Sequence, residues 1–229
     1  MQNKIRYVLR TLIRFLPWIH KSIYFNFHYL PFEQAVKLPI LLYKPHFIKL
    51  KGNVIIESDK VSFGMIKMGI LVNTCNPNNG ISFDLDGSLI FKGRAVFAND
   101  SYIMIRNSGT ITLGKNLDGN CKLKCANSIE IGDNTVIAYE TMIMDSDWHA
   151  LTDVVTGKLL NKTSFVKIGS YNFISYRCII NRGTVTPDYC TVTACSTLNK
   201  KYDFEQYSLI GGNPCKLIDE GYFMDPQNN

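Results

Sequence analysis

The chain has no CxxC pair among its seven cysteines, no apolar run near the roughly 18 residues of a spanning helix, only four histidines, and a single acid in its first 51 residues. Each scarcity excludes something. An odd, scattered set (Cys75, Cys121, Cys125, Cys178, Cys190, Cys195, Cys215) argues against a disulfide framework or a zinc site and for free thiols in a reducing compartment. With neither a spanning segment nor a leader with a cleavage site, the chain is expected to stay in the cytoplasm. At 229 residues, 46% hydrophobic and 19% charged, it is long and apolar enough to bury a core, and disorder is not expected.

The scarcity of acid is local. Residues 1–51 carry Lys4, Arg6, Arg10, Arg14, Lys21, Lys37, Lys44, Lys49 and Lys51 against Glu33, so this segment sums to 9 − 1 = +8, while the rest holds 16 basic and 18 acidic residues. Ile5, Val8, Leu9, Leu12, Ile13 and Leu16 recur at helical spacing, with Arg6, Arg10 and Arg14 four apart on another face, and Pro17 ends the pattern. Aromatic residues and prolines follow to residue 50, with a short helix expected near Phe32 to Val36 between extended pieces. Two compatible roles follow: a cap over one end of the next unit, or contact with an anionic membrane surface. The apolar helical face fits lipid better than a nucleic-acid phosphate groove.

From about residue 80, short apolar steps alternate with Gly, Asn, Asp and Ser. Steps of six from Ile168 read Ile168, Ile174, Ile180, Thr186, Val192 and Leu198, and a second array reads Leu113, Gly119, Cys125, Ile131, Ile137 and Ile143. Ile90 and Val96 extend the pattern upstream, with a slip somewhere in 97–112. Four residues after the steps stand Asn172, Cys178, Thr184, Cys190 and Ser196, with Thr135 and Thr141 in the other array. A period of six suits neither a helix at 3.6 nor a lone strand at two. It predicts an all-β solenoid with three short strands per coil, aliphatic residues inward and small residues near the corners. Cys178 and Cys190 then read as small fillers. Ile143 and Ile168 are 25 apart, one more than four repeats, so a loop near 145–165 must project from the coil. It contains "DSDWH", residues 145–149.

These features resemble the hexapeptide-repeat acyltransferases over roughly residues 80 to 218. The resemblance rests on "IGDNTV" (131–136), "IGSYNF" (168–173), the terminal "LIGGNPCKLI" (209–218) and the histidine loop. The basic, aromatic "YFNFHYLPFEQAVKLPILLYK" makes the sequence most similar to cell-surface polysaccharide O-acetyltransferases. The resemblance implies a left-handed parallel β-helix, a homotrimer, and acetyl-coenzyme A bound between subunits, with no metal. Handedness cannot be read from the sequence, since parallel crossovers elsewhere are right-handed. The expected organisation is a cap at 1–55, a β-helix at 56–218 and a tail at 219–229.

Acetyl transfer to a hydroxyl needs a base, and His149 is the one histidine in the solenoid part, the others being His20, His28 and His46. If the resemblance holds, His149 is that base. Asp145 and Asp147 are both candidates to orient it, each with loop capping as the alternative role. Trp148 would wall the acceptor pocket or pack the loop. Carried over from the family, Ser175, Tyr176 and Ala194 would contact the pantetheine arm, and Asn199, Lys200 and Lys216 the nucleotide end. Ser175 and Tyr176 depart from the glycine and small residue usual there. The expected acceptor is a sugar of a capsule, lipopolysaccharide or related glycan, or its lipid-linked precursor at the inner membrane face. Alternatives are a small acceptor (an antibiotic, serine or a nucleotide-sugar amine) and a non-catalytic scaffold of a glycan-biosynthesis complex. A carbonic anhydrase would need more solenoid histidines than one.

Overall fold

Coil follows coil in parallel register, each adding one rung to every face of a three-sided prism. The computed structural model describes residue 13 and residues 15–71, 78–160 and 163–224; the helix expected from Ile5 to Leu16 and Cys75 fall largely or wholly outside them. One face stacks Asn53–Ile56, Ser88–Phe91, Thr110–Leu113, Ser128–Ile131 and Phe165–Ile168 in that order. The other two faces share one continuous sheet, because the long strands Leu117–Cys125 and Val136–Met144 bend through a corner, with a register shift between Gly119 and Cys121. All interstrand pairs in these faces are parallel except at the C-terminus, where Lys216–Glu220 turns back antiparallel on Ser208–Gly211 and closes the ladder.

The period of six emerges as three sides per coil. Ile174 lies against Val192, Ile180 against Leu198, and Val192 against Ile210, every one fully buried. Both arrays face inward throughout, and the small residues between them are buried too. Those small residues do more than fill space. Asn172 accepts the Cys190 amide at 2.8 Å, Thr141 donates to the Ser175 carbonyl at 3.1 Å, and Ser196 accepts the Gly212 amide at 2.9 Å. Each satisfies a corner backbone group that no strand partner reaches. The aliphatic-Gly pairs have an equally local cause: a Cβ on Gly132 would lie 2.5 Å from the Ser170 nitrogen of the next coil.

Upstream the phase differs from the expectation. Leu89 and Phe91 point inward while Ile90 is half-buried, and Phe97, the neighbour of Val96, stands in line with Gly119. The cause is a longer coil, 22 residues between the strand partners Ser88 and Thr110 where the next coil, from Thr110 to Ser128, takes 18.

Strands begin at Ile40–Leu42, so residues 40–55, placed in the cap by sequence, already belong to the solenoid. The short helix appears at Phe32–Ala35. An unexpected longer helix, Ile19–Tyr29, covers the first rung. Its pattern is hidden because two of its inward residues are polar. Asn26 donates to the Ile40 carbonyl (2.7 Å) and accepts the Ile40 amide (3.1 Å), and Ser22 accepts the Leu42 amide (2.9 Å). Two side chains thereby replace a neighbouring strand on an otherwise open sheet edge. Between them Phe25, fully buried, meets Phe83 at 5.0 Å between ring centroids.

Candidate active site

The chain leaves the coil after Met144 and rejoins it at Phe165. Partners across this gap are 37 residues apart, as in Cys178 to Thr141, against 18 in an uninterrupted coil. Nineteen residues (37 − 18) are therefore inserted at one corner, which equals the 25-residue spacing from Ile143 to Ile168 less one step of six. They form a projecting hairpin, Leu151–Thr152 against Leu159–Leu160, whose base carries "DSDWH".

The two carboxylates of that motif do different things. Asp145 is fully buried, accepting the amides of Ala126 (2.7 Å) and Asn127 (2.8 Å) and the Cys125 thiol (3.3 Å). It ties the loop base to the preceding coil, the capping alternative among its expected roles. Asp147 is exposed and takes a 2.5 Å bond from Arg182 Nε. Asp147, Arg182, Asn181 and Asn199 line a polar cleft of about 310 Å³.

His149 stands at the rim of this corner, exposed, its amide bonded to the Asp147 carbonyl at 2.7 Å. Among the described residues nothing hydrogen-bonds its ring, so neither aspartate orients it within one chain. Trp148 between them has φ +62°, a left-handed conformation costly for a bulky residue, which turns its neighbours outward. Its indole N–H is buried without a partner among the described residues.

No protein-family model and no curated protein matches the chain, but solved structures do. The polySia-specific acetyltransferase NeuO aligns with a TM-score of 0.53 at 15% identity, over 80% of this chain and 89% of NeuO. This is the same fold. It is the left-handed parallel β-helix, reached at an identity too low to carry more than architecture. Two further matches are the polysialic acid O-acetyltransferase OatWY (TM-score 0.43, 18% identity, 80% and 90% covered) and, in complex with dTDP and coenzyme A, a point mutant of the Bacillus cereus N-acyltransferase AntD (0.40, 16%, 84% and 89%).

On this β-helix the residues expected to hold the donor divide between corners. Ser175 and Tyr176 share one turn, and Ala194 lies one coil on, its neighbour Cys195 donating its amide to the Tyr176 carbonyl at 3.0 Å. Tyr176 stacks on Tyr139 with centroids 5.7 Å apart, so its ring is held flat along this edge. Asn199 instead lines the Asp147 cleft on the next corner. Lys200 lies beyond it, its ammonium 5.6 Å from the Tyr202 ring, and Lys216 is exposed on the terminal hairpin. Among the described residues no group of three or more His, Cys, Asp or Glu gathers as a metal site.

Sequence reasoning missed Arg182 and Asn181. One signal was present: Asn181 and Asn199 are a coil apart, so a polar pair on one corner follows from the repeat. Nothing in the sequence aligned Arg182 with Asp147, because that match depends on the length of the insertion.

Proposed function

We propose that this chain is an acetyl-coenzyme A-dependent O-acetyltransferase acting on a sugar hydroxyl of a cell-surface glycan or its lipid-linked precursor, with His149 as general base. The observation that carries this reading is the loop that bears His149: it leaves a rigid β-helix at one corner, and Asp147, two residues before the histidine, lines a polar cleft with Asn181, Arg182 and Asn199. NeuO, with the same architecture, is an acetyltransferase for polySia, which supports the glycan class of acceptor.

In the reaction a neutral imidazole nitrogen of His149 takes the proton of the acceptor hydroxyl as its oxygen attacks the thioester carbonyl. A tetrahedral oxyanion forms, the carbon–sulfur bond breaks, and the departing thiolate takes the proton back from the imidazolium. The Ser175–Tyr176 edge is suited to the pantetheine arm, Lys200 and Lys216 to its phosphates, and Trp148 to the acceptor ring. The donor edge and the His149 loop occupy different corners of one prism. A homotrimer brings such corners together between neighbours. The strongly exposed apolar side chains of the hairpin, with Val154 98% and Val155 90% exposed, support coverage by a second subunit.

The test is acetyl transfer from acetyl-coenzyme A to a panel of acidic and neutral glycans, followed by free thiol release and product mass. Ester products that disappear with His149→Ala support the reading. Turnover undiminished in His149→Ala overturns the base assignment, and alkali-stable amide products would shift the reaction to an amine acceptor. Absence of any transfer across glycans and small acceptors would favour a scaffold.

A further inference from the structure

The helix Ile19–Tyr29 uses only one side to cap the solenoid. Ser22, Phe25 and Asn26 face the first rung, while His20, Ile23 and Phe27 lie on the opposite side and Tyr24 on its flank, its ring centroid 6.2 Å from that of Phe47, all four exposed. Phe32 and Val36 of the next short helix continue this surface at 70% and 50% exposure, with the Phe27 and Phe32 rings 6.2 Å apart, edge to face. Ile13 and Leu16, at 69% and 64%, extend it at the other end. Scattered exposed apolar residues need no explanation, but a contiguous aromatic-aliphatic face at one end of a rod does.

Charge selects the occupant. Between Phe15 and Ile56 the only acid is Glu33, against Lys21, Lys37, Lys44, Lys49 and Lys51, of which Lys49 is already paired with Asp86. Lys37 is exposed beside Val36 on the rim of the face. The sequence leading into Ile13 adds Lys4, Arg6 and Arg10, with Arg14 next, and no acid. A second copy would set two cationic faces against each other, and the chain's own basic leader would find one carboxylate to answer its charges. An anionic lipid surface supplies both missing partners: negative headgroups for the lysines and arginines, and an acyl boundary for Ile23, Tyr24, Phe27 and Phe32. Rings with polar tips, such as Tyr24, favour that boundary.

We propose that the outer face formed by Ile23, Tyr24, Phe27, Phe32 and Val36, rimmed by Lys37, is a docking surface for an anionic membrane, seating the β-helix end-on against the bilayer. The inference stands apart from the transfer chemistry, since none of these residues lines the His149 corner.

Full-length protein is sedimented with vesicles of phosphatidylcholine alone and of phosphatidylcholine with phosphatidylserine. Binding is expected only to the mixed vesicles, weakening as salt rises. Phe27→Ser combined with Phe32→Ser should reduce it at least tenfold, and Lys37→Glu by roughly fivefold or more, as one surface charge contributes about that factor. Both variants leave Ser22, Phe25 and Asn26 in place, and an unchanged unfolding transition checks that the cap survives. Acetyl transfer to a soluble acceptor should be unchanged in both. Equal binding of the double variant and the parent overturns the proposal. So does equal binding to both vesicle types, or a change of oligomer size in the double variant without loss of vesicle binding, which would make the face a protein interface.

Discussion

Arg182 donates from Nε to Asp147 Oδ2 at 2.5 Å, joining the inserted loop to the coil that follows it across 35 residues of sequence. Both side chains are partly exposed, at 37% and 43%, so the ion pair adds little to stability, on the order of 1 kcal/mol or less. Its consequence is positional: it fixes the strand of loop from which His149 projects.

Arg182→Ala and Asp147→Asn should therefore each slow acetyl transfer about 10²-fold while leaving the unfolding transition nearly unmoved, because small misplacements of a base are costly in rate. The double variant should be little worse than the worse single one, since both remove the same constraint. Initial rates of thiol release and a calorimetric scan check this. Additive losses would show that the two residues act separately.

Asp145 should behave in the opposite way. Its carboxylate accepts two backbone amides and a thiol inside the protein, so Asp145→Ala leaves buried donors unpaired and should cost about 3 kcal/mol. Asp145→Asn, with one acceptor oxygen left for two amides, should fall between. Urea unfolding measures both, and a variant as stable as the parent would remove the tie assigned to Asp145.

Asn26→Ala deletes the two bonds that stand in for a strand beside Ile40, each worth about 1 kcal/mol, and uncovers the sheet edge. Loss of about 2 kcal/mol and concentration-dependent aggregation are expected by denaturation and light scattering. Asn26→Asp should fail as well, because it keeps the acceptor for the Ile40 amide and loses the donor to its carbonyl.

Burial pushes the Cys121 and Cys190 thiols up to about 12 and Cys215 up to about 11. The thiolate is the reactive form, so these should resist alkylation in the folded state. In a Cys75→Ser background, Cys195, the one exposed cysteine among those described, should account for one equivalent of label, lost in Cys195→Ser. The raised values also set a sign for stability. Their contribution is complete below the ordinary thiol value of 9.0 and is lost as pH rises toward 12, so the melting temperature should fall across that window, less steeply in Cys190→Ala.

The inward arrays from Leu113 to Leu198 and the small corner residues were legible in the sequence because one physical demand repeats every six residues. Ile90 was misread for the same reason: the longer upstream coil shifts the phase, and a fixed period has no means of registering it. The helix Ile19–Tyr29 escaped because Ser22 and Asn26 face inward, and polar residues in the buried stripe erase the periodicity that marks an amphipathic helix. Asp145 and Asp147 were indistinguishable because two residues of separation on an irregular loop fix no direction.

By itself the sequence determined a three-strand coil with a projecting loop, because close stacking tolerates only aliphatic, glycine and small residues at set intervals. Tertiary structure alone decided which aspartate is buried, which arginine meets the other, and that the donor edge and His149 lie on different corners of one chain. Those relations join residues 18 to 35 positions apart, and their pairing depends on the length of each coil, which is set by packing rather than by any local pattern.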